Sequence, residues 1–198
     1  MTMLVDINDP KCWNGGPESH YRAWIDGEYV GYCRKAKQAF YGMDVQSLIS
    51  ALPFKRRDKI LFVGAGFGWM QEDFAEAGFK HRNMLSLDTS RWIHANLADN
   101  AVVTVEFLDV MKSGDRKIIM TKLKPDWIIS EDCLPLFSND EVLEFCKCLR
   151  IMAPKIARWV TPLVGSSQHP QMNWKTLEDW KKLVAPDLVV KRGDSTVA

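Results

Sequence analysis

Ile60-Leu61-Phe62-Val63-Gly64-Ala65-Gly66-Phe67-Gly68-Trp69 runs from four apolar residues through a glycine-rich bend into an amphipathic segment. That order predicts a buried strand, a tight turn and then a helix. Glycine has no Cβ, so the bend can take left-handed backbone angles and let a ligand approach the main chain closely. It also leads into a helix N-terminus, whose partial positive charge favours an anionic group such as a carboxylate or phosphate. The spacing decides which ligands remain. The glycines fall at Gly64, Gly66 and Gly68, whereas the dinucleotide signature GxGxxG would need its third glycine where Trp69 stands. An indole at that position obstructs close approach to a pyrophosphate.

Outward from this stretch, short apolar runs alternate with amphipathic ones. The runs are Ile60 to Val63, Met84 to Leu87, Val102 to Phe107, Trp127 to Ile129, Ile156 to Val160 and Leu188 to Val190. Helical stripes lie between them, one through Met70, Phe74 and Ala77 and another through Val142, Phe145, Cys146, Leu149 and Met152. Ser138 with Glu141 forms a capping box ahead of the second. A last helix is expected from Asn173 to Val184, its Trp174, Leu177, Trp180 and Val184 packed on the sheet. The alternation predicts an α/β fold, a doubly wound, mostly parallel sheet of about six or seven strands with helices on both faces. Before Pro53 the pattern changes. Gly15-Gly16-Pro17 and Asp26-Gly27 mark turns, and Cys33 to Leu52 carries helical spacing, so residues 1–57 read as a helical N-terminal extension to a domain at 58–198.

Composition narrows the function classes. The chain has 198 residues, enough for one sizeable core, and 26 Lys plus Arg against 25 Asp plus Glu give a net charge of +1. That balance does not favour a nucleic-acid or membrane-surface partner. No apolar stretch approaches the roughly 18 residues that span a bilayer, and no signal peptide is expected, so the expected location is the cytoplasm. Five cysteines without CxxC spacing fit reduced, buried thiols. The four histidines, His20, His81, His94 and His169, lack HxxxH or HxH spacing, so no metal site is expected.

The strand after the glycine bend ends at Asp88, placed to accept hydrogen bonds from ribose hydroxyls, and the next ends near Asp109, within reach of an adenine edge. Together with the bend they suit a nucleoside carrying a compact carboxylate tail. On these residues the sequence resembles the class I, Rossmann-like S-adenosylmethionine (SAM)-dependent methyltransferases, over roughly Lys59 to Val164. The resemblance implies that Gly64-Ala65-Gly66-Phe67-Gly68 lies beneath the methionyl part of SAM. It also implies that Asp88, followed by Thr89, binds the ribose, and that Asp109 contacts adenine between Leu108 and Val110. Ser130-Glu131-Asp132 then sits where donor and acceptor meet. There are two departures. Phe62 stands where the family commonly has an acid for the methionine ammonium, leaving the Ser130 carbonyl or the Glu131 side chain to take that role. The family's closing antiparallel strand pair is also stunted or missing after Leu188 to Val190.

The implied function is methyl transfer from SAM to a small molecule, or a small group of a larger one, leaving S-adenosylhomocysteine. Glu131, Asp132 and His169 are the candidate bases for an acceptor that must lose a proton. The aromatics Trp13, Tyr21, Trp24, Tyr29, Tyr32, Phe40 and Tyr41 could form a lid over the acceptor or simply cover one face of the sheet. Ser130 to Pro135 does not match the Asn/Asp-Pro-Pro-Tyr/Phe stretch of exocyclic-amino methyltransferases, and there is no Pro-Cys pair as in cytosine-C5 enzymes. The alternatives are a non-catalytic protein that binds SAM or S-adenosylhomocysteine, an enzyme using SAM for aminopropyl transfer or cleavage, and, weakest, a nicotinamide dehydrogenase.

Overall fold

The structure, a computed structural model, describes residues 23–25, 28–30, 45–96, 103–131, 133–160, 173 and 175–191. Six strands form one sheet: β3 (Ile60–Val63), β4 (Met84–Leu87), β5 (Val105–Glu106), β6 (Trp127–Glu131), β7 (Lys155–Val160) and β8 (Leu188–Lys191). They lie in the order β5-β4-β3-β6-β7-β8, and every adjacent pair is parallel. The helices are α1 (Val45–Ala51), α2 (Trp69–Glu76), α3 (Arg91–Asn96), α4 (Ser113–Lys122), α5 (Asn139–Met152) and α6 (Leu177–Val184).

Alternation along the strands divides the core into two layers, as a sheet covered on both faces requires. Leu61, Val63, Ile128, Ile156 and Val189 point to one face, where α4, α5 and α6 contribute Ile119, Val142, Phe145, Leu149, Met152, Trp180 and Val184. Ile60, Phe62, Met84, Trp127, Ile129 and Ala157 point to the other, against Leu48 of α1, Met70 and Phe74 of α2, and Phe79. The expected stripe of α5 is buried throughout, and its capping box is present. The last helix starts at Leu177, later than Asn173, because the Thr176 hydroxyl accepts the Asp179 amide and caps it there. Trp174 lies outside the described residues.

One part differs from the sequence reading. Within the N-terminal extension, β1 (Ala23–Ile25) and β2 (Glu28–Val30) pair as an antiparallel hairpin, with Trp24 opposite Tyr29. β-formers on either side of Asp-Gly are a hairpin signal, and here that signal outweighs helical expectation. Helix in the extension is confined, among the described residues, to α1. Leu48 and Leu52, together with Phe54, also pack into the sheet's own core, so the segments on either side of residue 57 share one interior. Trp127 reinforces this junction: its indole donates to Asp58 Oδ2 at 3.0 Å, and its ring lies 4.6 Å from that of Phe54. At the other end, β8 pairs directly with β7, and no antiparallel strand joins the sheet among the described residues.

The order reverses between β3 and β6. Connections from β3 run outward through β4 to β5 and then cross back to β6, so a crevice opens beyond the carboxyl ends of β3 and β6, where open α/β sheets bind ligands.

Candidate functional site

The glycine bend follows β3 directly. Gly64, Gly66 and Gly68 take φ of 72, 56 and 76°, left-handed values that cost a residue with a Cβ roughly 1–2 kcal/mol. Two of these glycines serve different ends. A Cβ built on Gly68 would stand 2.3 Å from Val103 Cγ2 and 3.1 Å from Val105 Cγ2, so this glycine lets the bend pack against the β5 region. A Cβ on Gly66 would meet nothing within 4 Å; it faces open space over the crevice. The bend's amides are largely engaged within the protein. Gly64 and Ala65 donate to the Leu87 carbonyl at 3.1 and 3.0 Å, and Gly68 to the Ala65 carbonyl at 2.9 Å. The Gly66 amide donates to Asp88 Oδ2 at 2.8 Å. These four amides therefore do not form the anion cradle expected from sequence. What the bend offers instead is room over Gly66. Phe67 is buried, and its ring stacks at 5.8 Å on Trp69, the residue that closes the position a dinucleotide signature leaves open.

Asp88 ends β4 beside that room. Its Oδ1 accepts from the Ser90 amide at 2.8 Å and its Oδ2 from the Gly66 amide, and the Thr89 backbone also hydrogen-bonds to the Asp88 carboxylate. The residue is 7% exposed, and burial pushes its carboxyl above the ordinary value, against the lowering effect of the Ser90 and Gly66 hydrogen bonds and of His94. His94 on α3 approaches from the far side, its Nε2 3.0 Å from the Asp88 carbonyl oxygen. Thr89 is half-buried at the same rim.

After β5, Asp109 forms a turn of its own. Its Oδ1 accepts from the Met111 amide at 2.9 Å, its amide donates to Asp115 Oδ2 at 2.9 Å, and Lys112 Nζ lies 3.9 Å from Oδ2. Leu108 packs partly against the α4–α6 core layer, and Val110 is buried in it. The side chain that stands out into solvent here is Phe107, 54% exposed, with the His94 imidazole edge-on to its ring at 5.0 Å. The sequence reading passed over both. An aromatic at the end of an apolar strand and a lone histidine carry no signal until the fold brings them together.

At the end of β6, the Ser130 side chain turns away from the crevice. Its hydroxyl accepts from Arg158 Nη1 at 3.1 Å. Arg158 is fully buried on β7 and reaches Asp187 Oδ2 from Nε and Nη2 at 3.0 and 2.7 Å. Asp187 in turn accepts from Arg150 Nε at 2.9 Å. This buried charge network was not anticipated, because its members are scattered over three elements. Glu131 is the last residue of β6, in register with Trp159, which places its backbone at the crevice. Asp132 and His169 lie outside the described residues, as do Trp13, Tyr21, Tyr32, Phe40 and Tyr41. Phe62 is completely buried, its ring 5.3 Å from that of Phe74, so it belongs to the core and offers nothing to a ligand's ammonium. Among the described residues no cluster of His, Cys, Asp and Glu has metal-binding geometry, and no helix is long and apolar enough to cross a membrane. Cys133, Cys146 and Cys148 are buried thiols, and burial raises the pKa of the last two.

No protein-family model matches this chain, and no curated protein matches its sequence. Solved structures do share its fold. A SAM-dependent methyltransferase from Anabaena variabilis aligns over 75% of this chain and 73% of its own, at 16% identity and a TM-score of 0.53. The magnesium protoporphyrin IX methyltransferase of Synechocystis, with bound SAM, covers 80% and 73% at 17% identity and a TM-score of 0.52. Human N-acetylserotonin methyltransferase in complex with SAM covers 76% of this chain and 47% of its own at 12% identity, also at 0.52. The chain shares the α/β fold of these methyltransferases.

Proposed function

We propose that the protein is a SAM-dependent methyltransferase acting on a small molecule, or a small group of a larger one. The observation that carries this reading is the pairing of Gly66 and Asp88 at the point where the strand order reverses. Open space over the Gly66 bend lies beside a buried carboxylate whose position is set by backbone amides. Asp88 would take the ribose hydroxyls, and the opening over Gly66 would admit the methionyl chain. Phe107, Leu108 and Asp109 would border the base, with Ser130 and Glu131 beside the methyl group. Gly64, Ala65, Phe67, Gly68, Thr89 and Val110 shape this cradle from behind.

SAM supplies a methyl group on a positively charged sulfur. An acceptor's lone pair would bond to that carbon as the carbon–sulfur electrons return to sulfur, leaving S-adenosylhomocysteine. The chain's own task is then chiefly alignment in a dry crevice, and orientation of this kind contributes roughly 7–11 kcal/mol in well-aligned systems. Where the acceptor is a hydroxyl, its proton leaves to Glu131, Asp132 or His169, a step that adds about 10² to 10⁴ in rate.

The test is ligand-dependent stability. S-adenosylhomocysteine at 100 times its dissociation constant should add about 2.7 kcal/mol, NAD should add nothing, and Asp88→Ala should abolish most of the gain. Absence of stabilisation by S-adenosylhomocysteine in the wild-type chain would overturn the reading. A second reading, a protein that holds the cofactor without transferring the methyl, is favoured by the fully buried Phe62, which leaves the ammonium without the usual acid. Labelled SAM incubated with cell extract separates the two. Labelled product with S-adenosylhomocysteine supports transfer, tight binding without product supports the second reading, and methylthioadenosine points to a different use of SAM.

A further inference from the structure

The ends of β4 and β5 are joined by a closed circuit of contacts that the sequence does not reveal. The Asp88 amide donates to the Glu106 carbonyl at 3.2 Å. Phe107 follows Glu106, and its ring meets the His94 imidazole edge-on, at 5.0 Å and 87°. The circuit closes with His94 Nε2, 3.0 Å from the Asp88 carbonyl. A backbone carbonyl only accepts, so this hydrogen bond requires the proton on Nε2. His94 is itself seated by the first turn of α3. Its amide donates to the Ser90 carbonyl at 3.2 Å, and the Ser90 hydroxyl accepts the Ile93 amide at 3.3 Å. Ser90 also donates its amide to the Asp88 carboxylate at 2.8 Å. One imidazole thus braces the peptide that carries the candidate ribose acid and the exposed aromatic one strand away.

We propose that His94 is a positioning residue for the adenosyl end of the ligand: it fixes the Asp88 peptide and holds the Phe107 ring upright at the crevice. The inference rests on the SAM-binding reading above. Physically, a half-exposed aromatic just past a two-residue strand has little else to hold it, and a carboxylate presents both oxygens productively only if its peptide plane is fixed. An edge-to-face contact and a hydrogen bond to the same ring supply both constraints at once. His94 is not a catalytic residue in this account, since it reaches the ligand only through Asp88 and Phe107.

The experiment measures S-adenosylhomocysteine affinity by calorimetry in the full chain, alongside the melting temperature without ligand. His94→Ala should weaken binding by about tenfold or more, given a lost hydrogen bond and a lost ring contact, while the ligand-free melting temperature moves little. His94→Gln, which can return an N–H near the Nε2 position, should recover part of the affinity. Phe107→Leu should lose affinity as well. In the wild-type chain the His94 Nε2–H resonance should be protected from solvent exchange and should shift when S-adenosylhomocysteine is added. Wild-type affinity in His94→Ala would overturn the proposal. So would a loss that follows ligand-free destabilisation equally in the Ala and Gln variants. Failure of the wild-type chain to bind S-adenosylhomocysteine overturns the SAM reading itself, and the proposal with it.

Discussion

Gly66 and Gly68 sit two residues apart in one bend, yet substitution should affect them differently. Gly68→Ala drives a methyl into Val103 and Val105 and also strains a φ of 76°, so it should destabilise the fold by about 2–4 kcal/mol, read from chemical unfolding. Gly66→Ala meets no neighbour and carries only the backbone penalty of roughly 1–2 kcal/mol, but its methyl occupies the ligand's space. It should therefore keep most of its stability and lose the S-adenosylhomocysteine response. Asp88 allows a pH test. Its carboxyl pKa is raised by burial above the ordinary aspartate value, so the folded state binds that proton more tightly than the unfolded state. The stability this group contributes is thus complete below the unfolded value and is lost as pH rises through the raised folded value. The difference in unfolding free energy between wild type and Asp88→Asn should shrink from about pH 4 upward, whereas affinity for a ribose, which donates to the ionised form, should grow over the same window. Gly64, Gly66, Gly68 and Asp88 were all readable from spacing along the chain. Which glycine faces open space and which faces the core was not, because the answer depends on Val103 and Val105, roughly 35 residues away at a strand whose register only the folded sheet sets.

Elements were legible in proportion to the length of their apolar pattern. β3 and β4 match the apolar runs residue for residue, and α5 buries every position of its stripe, since 14 residues give the period time to show. α4 escaped notice because Ile119 is its only buried residue. α3 has six residues, too few for a period, and β5 shrinks to Val105–Glu106 because the chain leaves the sheet at the exposed Phe107. The capping box was legible because it is a local exchange of hydrogen bonds: Ser138 Oγ accepts the Glu141 amide at 3.3 Å, and Glu141 Oε2 accepts the Ser138 amide at 3.0 Å. Ser138→Ala should cost about 1 kcal/mol, a drop of about 2–4 °C in melting temperature for a chain of this size.

Across the whole molecule, the parallel sheet and its reversal between β3 and β6 follow from alternating apolar and amphipathic runs, and the crevice follows from the reversal. The charge network under β6 and β7 does not, because Arg150, Arg158 and Asp187 meet only when α5, β7 and the turn before β8 come together. One carboxylate there serves two guanidiniums, one of them with no solvent access. Asp187→Ala would leave the Arg158 guanidinium without its carboxylate, held by Ser130, Cys146 and the Phe145 ring, and should cost about 3–5 kcal/mol, whereas adding Arg158→Met should return much of that loss. Denaturant titration of both variants checks the coupling.

The hydrogen bond from Gly66 to Asp88 makes one carboxylate both a latch for the bend and, in the proposed function, the host of the sugar. Any ligand that pulls on that carboxylate also pulls on the loop that cups its tail. Filling one end of the cleft therefore tightens or slackens the other, and a nucleoside lacking the amino-acid arm would still change the shape of the place where that arm belongs.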